Sequence, residues 1–580
     1  MKKLTGISAS PGIAIGKPFL YIHEQPTVPR YDISDSEIDS EMDRFRAAVE
    51  RASCELTDIR EQSAGQVDAD QLAIIDAHQL MAKDPEFENQ ILRRLTDDLM
   101  NVEWMLHTHE QELLDKLNKA DSEALRERSS DLHDVTGRVL NQLLQRERFS
   151  LADLTEEVIV IAHDLMPSDA IVMNKDYVKG IAMDGGGPTS HTAILARSFE
   201  IPSVLGLTTV TRAVIDSDLI IVDGNHGVIL IDPDAETCAR YEQQITEWHQ
   251  REVQLMRLND LPAETKDGKL IALKANIEVP EEVDAVLSHG ADGVGLYRSE
   301  FLFMSPGRLP SEEEQYRAYR SVIEAMPDKP VTIRTLDVGG DKVIPQLDGW
   351  EERNPILGWR AIRFCLSNRD VFRTQLRALL RAGRHGRLEI MFPMISGLEE
   401  MTEAFDFLAE VKKELKGEGV DVPNDLPIGI MIEVPSAAMV ADVLARRSHF
   451  FSVGTNDLIQ YTLAVDRGNE RIAYLYEPFH PAVLRMLRLV IDSAHDTGIP
   501  VAMCGEMAGD PVATVLLLGL GLDEYSMSAG SIPEVKRIIR STSVREAEEV
   551  VGAAMEMRSF KEVDRFIRRL MEERFGVSIG

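Results

Sequence analysis

The chain is 580 residues long, 44% hydrophobic and 28% charged, with 63 Lys and Arg against 97 Asp and Glu and a formal net charge of −34. That length implies two or more domains with sizeable cores, which excludes wholesale disorder, and the acidic excess argues against binding to nucleic acid or anionic membrane faces. No run approaches the ~20 apolar residues of a membrane span, and Cys54, Cys238, Cys365 and Cys504 form no CxxC pair, so a soluble cytoplasmic protein without disulfide framework or structural zinc is expected.

Residues 1–30 are apolar with Gly and Pro punctuation, as in Gly12-Ile13-Ala14-Ile15-Gly16-Lys17-Pro18, and predict a strand or two. From 35 to 148 the only breakers are Gly65, Pro85 and Gly137, while apolar residues recur at helical spacing, predicting a bundle of long helices. Short β-branched runs return in 158–231, around a glycine-rich segment, and predict a compact α/β unit that the first thirty residues join, leaving the bundle as an insertion. Residues 234–258 have helical periodicity without Gly or Pro and predict a connecting helix.

Beyond 270, eight buried-looking strands alternate with amphipathic helices. They begin at or near Leu273, Gly293, Val331, Leu388, Ile428, Phe451, Val501 and Glu524. That count over roughly 310 residues suits a (β/α)8 barrel with insertions, and an open doubly wound sheet is the alternative.

Two places in this pattern can carry chemistry. Gly185-Gly186-Gly187-Pro188-Thr189-Ser190-His191 couples a flexible loop to a helix opening at Thr189 or Ser190. Free backbone N–H groups and the positive helix end seat an anion there, and a neutral ring nitrogen of His191 can attack phosphorus. A plain helix start with His191 on the surface fits the local pattern equally well.

The second place is the carboxyl face of the predicted barrel. Arg298, Arg334, Asp337, Lys342, Arg360, Glu433, Asn456, Asp457, Arg467, Cys504 and Glu506 follow successive strands. Several arginines at one mouth suit a substrate bearing both phosphate and carboxylate, and Glu433 with Asp457 suit Mg2+. Cys504, among cations, is expected to hold a labile proton that it can deliver to a carbanion or enolate. Each residue taken singly reads rather as an ordinary ion-pair or core residue; successive placement at strand ends reverses that and favours a site. His78, His107, His109 and His133 read as surface or partner-facing.

At this point the residues resemble the phosphoenolpyruvate–protein phosphotransferase family, enzyme I of the bacterial phosphotransferase system. The likeness runs from Gly6-Ile7-Ser8-Ala9-Ser10-Pro11-Gly12 through the His191 segment to Gly293-Val294-Gly295-Leu296-Tyr297-Arg298-Ser299-Glu300. It continues through Gly454-Thr455-Asn456-Asp457-Leu458 and Cys504-Gly505-Glu506-Met507-Ala508.

The resemblance implies a multidomain α/β architecture. Residues 1–30 and 150–232 would form a swivelling phosphohistidine domain, 31–149 an inserted helical domain that binds the carrier protein HPr, 233–262 a helical linker, and 263–580 a phosphoenolpyruvate-binding barrel through which homodimers form. It implies that Arg298, Arg334, Asn456 and Arg467 hold phosphoenolpyruvate, with Arg360 and Lys342 nearby, and that Glu433 and Asp457 hold Mg2+. His191 would take the phosphoryl group, Cys504 would protonate the enolate to pyruvate, and HPr would discharge His191. One position departs from the family pattern. Pro188 stands where an Arg commonly precedes the histidine by three residues, so a neighbouring Arg or backbone amides are expected to steady the phosphoryl oxygens. The alternatives are an ATP-dependent phosphoenolpyruvate synthase or dikinase, for which no glycine-rich ATP loop precedes the His191 segment, and a phosphoenolpyruvate-sensing regulatory phosphoprotein.

Overall fold

The apolar N-terminal stretch and the β-branched runs beyond residue 150 meet in one eight-stranded sheet. In chain order the strands are β1 (Lys2–Thr5), β2 (Ile7–Ser10), β3 (Ile13–Tyr21), β4 (Val158–Ala162), β5 (Val178–Met183), β6 (Ser203–Leu205), β7 (Ile220–Asp223) and β8 (Val228–Ile231). The coordinates are a computed structural model. It describes all residues except 22–26, 64–68, 119–122, 147–149, 175, 187–195, 197–200, 216, 304–307, 340–353, 468, 470 and 577–580.

The sheet order is β1-β8-β7-β3-β4-β5-β6-β2, with β3 to β6 parallel. Three strands, not one or two, come from the N-terminus, because Gly6 and the Pro11-Gly12 pair break the apolar run twice. β1 and β2 sit at opposite edges although only Gly6 separates them. Its N–H donates to Gly227 O at 2.8 Å, and a Cβ there would lie 2.3 Å from Leu205 O, so the strand switch requires glycine.

The segment between β3 and β4 carries five long helices, α1 (Ile38–Ser63), α2 (Ala69–Ala82), α3 (Pro85–Asp98), α4 (Val102–Asn118) and α5 (Glu123–Leu143). Their apolar stripes, including Met42, Phe45, Ile91, Leu95, Leu106 and Val139, close on one another as a core of their own. The bundle also contacts the short helix α6 (Pro167–Ile171). Leu56 and Ile75 pack on Ala170 and Ile171, while Asp134 and Arg138 reach Ser168. His78 and His109 are buried, contrary to the surface position expected. His78 Nε2 lies 3.1 Å from Asp131 Oδ1, and His109 packs against the Phe87 ring; a polar residue on a helix goes inward when tertiary partners meet it there.

The chain divides into two compact units, Met1–His249 and Gln250–Gly580, within the long helix Ala235–Met256. In the second unit the eight expected strands are β9 (Ala272–Ile277), β10 (Val294–Arg298), β11 (Pro330–Arg334), β12 (Arg387–Phe392), β13 (Ile428–Ile432), β14 (Phe451–Val453), β15 (Val501–Met503) and β16 (Glu524–Met527). All pair in parallel, and β16 pairs with β9 from Glu524↔Ala272 to Met527↔Ala275, so the barrel closes and an open sheet is excluded. Pleat alternation sorts their residues. Ile333, Ile390, Ile430, Phe451, Val453, Val501 and Met503 pack outward in the shell shared with the helices, while Met391, Met431 and Cys504 turn inward. Among the described residues no helix is long and apolar enough to cross a membrane.

Candidate active site

Inward alternation continues past the strand ends and brings the expected residues together. Arg298 ends β10, Arg334 ends β11, Glu433 follows β13, Asn456 and Asp457 open the helix Thr455–Leu463 after β14, and Cys504 follows β15. With Asp337, Arg360, Arg467 and Glu506 they line one cavity of about 190 Å3 at the carboxyl face. Lys342, His191 and Pro188 lie outside the described residues.

The arginines are held by acids. Arg298 bonds Glu278 and Arg334 bonds Glu300. Asp337, itself 1% exposed, bridges Arg334 at 3.0 Å and Arg360 at 3.0 Å, and Arg360 also lies 3.2 Å from Asp457. Burial works against both guanidinium charges, but the surrounding carboxylates outweigh it and keep them cationic. The Nε atoms of Arg334 and Arg360 are buried without a hydrogen-bonding partner among the described residues, so the guanidinium groups retain unused donors. Asn456 is oriented on both sides: its Nδ2 donates to Glu506 Oε1 at 2.9 Å and its Oδ1 accepts from the Glu506 N–H at 3.0 Å. Arg467 Nη1 approaches the same Glu506 carboxylate at 3.5 Å.

Glu433 is nearly inaccessible, and its Oε1 accepts from the Met394 amide at 2.6 Å, which Met394 presents from φ 55°. Burial, with Asp457 and Asp337 adding to it, pushes the Glu433 carboxyl well above the usual carboxylate range. Gly454 makes room for it, since a Cβ there would stand 2.9 Å from Glu433 Oε2. Among the described residues no three His, Cys, Asp or Glu side chains are arranged as a metal cage.

Cys504 corrects one expectation. Cationic neighbours argued for a labile proton, but the thiol is 4% exposed and burial pushes it above the ordinary thiol range; Ser452, Arg334 and Arg298 pull it only part of the way back. It is therefore a protonated group at neutral pH, suited to giving a proton rather than to attacking as thiolate. Glu278, Glu300, Tyr461 and Met394 support the site without having been legible as candidates. Tyr461 Oη accepts from Arg360 Nη1 at 3.4 Å and donates to Ile356 O at 2.6 Å, and nothing in the residues around it signals this contact.

In the first unit the flanks of the glycine-rich segment are pinned. The Gly185 N–H donates to His163 O at 2.8 Å, the Gly206 N–H donates to Gly185 O at 3.0 Å, and Asp184 accepts from Val210 N and Thr211 Oγ1. On the far side Ala196 O accepts from Ile201 N at 2.9 Å and Ser10 Oγ at 3.3 Å.

Comparison with known proteins agrees with this division. Three family models match: "PEP-utilising enzyme, N-terminal" over residues 5–128, "PEP-utilising enzyme, mobile domain" over 154–227 and "PEP-utilising enzyme, PEP-binding domain" over 252–544. Among curated relatives, the phosphoenolpyruvate-protein phosphotransferase of Priestia megaterium is 45% identical over 98% of this chain and 99% of its own. The Bacillus subtilis (strain 168) protein of that name is also 45% identical, over 98% and 99%. The chain belongs to the phosphoenolpyruvate-protein phosphotransferase family. The same-named protein of Staphylococcus carnosus (strain TM300) is 44% identical over 97% of this chain and 98% of its own. Members of the phosphotransferase family thus match from end to end, and the PEP-binding model falls on the barrel that holds the cavity.

Proposed function

We propose that this protein transfers the phosphoryl group of phosphoenolpyruvate to its own His191, releasing pyruvate, and then passes it to a histidine of an HPr-type carrier, the first step of a phosphotransferase system. The observation that carries this reading is the convergence of four arginines and a buried thiol on one small cavity in a barrel of this family.

The chemistry follows from the residues. Arg298, Arg334, Arg360 and Arg467 offer charge-assisted donors to phosphate and carboxylate oxygens, and Asn456 orients the substrate through its amide. The His191 ring nitrogen attacks phosphorus as the bond to the enol oxygen breaks. The enolate left behind takes a proton at its methylene carbon from Cys504, giving pyruvate. Glu433 and Asp457 are the residues we assign to Mg2+. The fit rests on charge, since the Glu433 carboxyl, crowded by Asp457 and Asp337, is relieved by a divalent cation, and two carboxylates leave sites for waters and substrate oxygens. Bound Mg2+ supplies neutralisation of phosphate and enolate oxygens.

The helical bundle is our assignment for docking of HPr, its acidic faces suiting a basic partner. One histidine serving two partners requires the two units to move relative to each other. Homodimers would form through the barrel, where Met439, Val440 and Val443 expose apolar surface on consecutive helices, and the protein would work in the cytoplasm in sugar uptake or its regulation.

The test mixes the full chain with phosphoenolpyruvate and Mg2+ and follows pyruvate release and an acid-labile, base-stable phosphate on the protein, with His191→Ala alongside. Labelling of wild type alone, discharged by added HPr, is expected. Labelling that requires ATP and inorganic phosphate would turn the reading into a dikinase, and no labelling under either condition would overturn it.

A further inference from the structure

Ser452 is a buried hydroxyl to which the reading above gives no task. It is the middle residue of β14, and its neighbours Phe451 and Val453 belong to the outer shell, so alternation turns Ser452 into the barrel. Beside it in register stand Met431 on β13 and Ala502 on β15, and the next inward position after Ala502 is Cys504. Ser452 is 1% exposed, and its Oγ has no hydrogen-bonding partner of ordinary geometry among the described residues. A buried hydroxyl without a well-formed hydrogen bond is unfavourable, and one kept beside Met431 and Cys504, which line the cavity, calls for a role toward them. The group within its influence is the Cys504 thiol, whose titration Ser452 lowers against the effect of burial. The thiol itself is directed at the Val453 carbonyl, Sγ to O 3.8 Å, on the residue next to Ser452.

We infer that Ser452 is a positioning residue for Cys504, its hydroxyl donating a hydrogen bond to the sulfur as the thiol gives up its proton. This rests on the reading of Cys504 as the proton donor to the enolate. In that step the S–H bond breaks, a C–H bond forms at the methylene carbon, and the electron pair stays on sulfur. The Ser452 proton remains on its own oxygen throughout, and the thiolate regains a proton from water at the cavity mouth. Arg334 and Arg298 favour the thiolate and Glu433 opposes it, so within a buried site a neutral donor next to the sulfur adds the stabilisation that water would supply outside.

The experiment compares full-length wild type, Ser452→Ala, Ser452→Thr and Cys504→Ala. It reads kcat and KM for pyruvate release, and the pH titration of thiolate absorbance near 240 nm after subtraction of the Cys504→Ala signal. Ser452→Ala is expected to lower kcat by about ten- to hundredfold, the loss of one hydrogen bond to a charged group, with KM for phosphoenolpyruvate within about twofold. It is also expected to move the thiolate titration to higher pH, and Ser452→Thr to restore both. A Ser452→Ala variant with wild-type kcat and an unmoved titration overturns the inference, leaving Cys504 as donor. A Cys504→Ala variant that releases pyruvate at the wild-type rate overturns the reading of Cys504 itself.

Discussion

The barrel interior contains two layers of basic side chains paired with carboxylates, and they differ in what they leave unsatisfied. The lower layer joins Lys274 on β9 to Glu524 on β16 at 2.6 Å and to Glu389 on β12 at 3.5 Å, and Glu389 also accepts from Thr332 Oγ1 at 2.6 Å. It satisfies itself. The upper layer, at the carboxyl ends, pairs Arg334, Asp337, Arg360 and Asp457 yet keeps buried guanidinium Nε atoms without hydrogen-bonding partners among the described residues and a Glu433 carboxyl forced upward by burial and by its acidic neighbours. Fold-building charges close on one another, whereas the mouth stays incomplete until a charged ligand arrives.

That contrast is broken most directly at the mouth. Arg334→Lys keeps the positive charge but removes the planar fork that meets Glu300, Asp337 and the incoming anion together. Pyruvate release per folded enzyme is expected to fall by about 10²- to 10³-fold, measured as kcat/KM, with a melting temperature close to wild type. A fall of less than about fivefold would place Arg334 with the structural charges.

The complementary cut is Lys274→Met in the lower layer. Lys274 is 3% exposed, and removing it strands Glu389 and Glu524 opposite an apolar chain. Stranding buried partners costs about 3–5 kcal/mol; because both carboxylates retain some solvent contact, roughly 2–3 kcal/mol is expected here, read by urea unfolding. Turnover of the folded fraction should stay within about twofold. A large kinetic loss without loss of stability would show that the lower layer belongs to the chemistry.

How far these layers were legible differs for a physical reason. The eight strands announce themselves because a parallel barrel strand is covered on both sides, so Ile428-Gly429-Ile430-Met431-Ile432 has no polar face to offer. The mouth residues follow from the rule that chemistry sits where such strands end. Lys274 gives no such cue: it stands inside the strand that begins near Leu273, not at its end, and its partners lie 115 and 250 positions away. Cys504 shows the same limit at the site itself. Its cationic neighbours were legible, but its burial depends on tertiary packing, and burial sets the direction in which its thiol shifts.

Gly454→Ala probes the mouth more gently. The added methyl would stand 2.9 Å from Glu433 Oε2 and 3.0 Å from Met431 Sδ, so the carboxylate must turn away from the position that Met394 holds. Mn2+ affinity, read by electron paramagnetic resonance as a stand-in for Mg2+, is expected to fall by about tenfold, the size of displacing a metal ligand's support. An unchanged affinity would remove Glu433 from the metal assignment.

The smallest expected effect lies on the barrel's outer surface, a third kind of charge against which the two inner layers can be calibrated. Arg369, Arg373, Arg377 and Arg381 recur every four residues along the helix Arg369–Ala382, each paired with glutamates on neighbouring helices. Arg377 alone meets Glu312 at 2.7 Å and Glu418 at 2.7 and 2.9 Å. These side chains remain partly solvated, so the Coulomb gain is screened and offset by the entropy of holding two long side chains in place. Arg377→Ala is expected to lower stability by at most about 1 kcal/mol at low ionic strength, and by much less at 1 M salt, where the Debye length shrinks to ~3 Å. The Lys274→Met loss, set by burial, should change little over the same range. If both variants responded alike to salt, the lower layer would be as solvated as the surface ladder, and self-satisfaction would no longer separate it from the mouth.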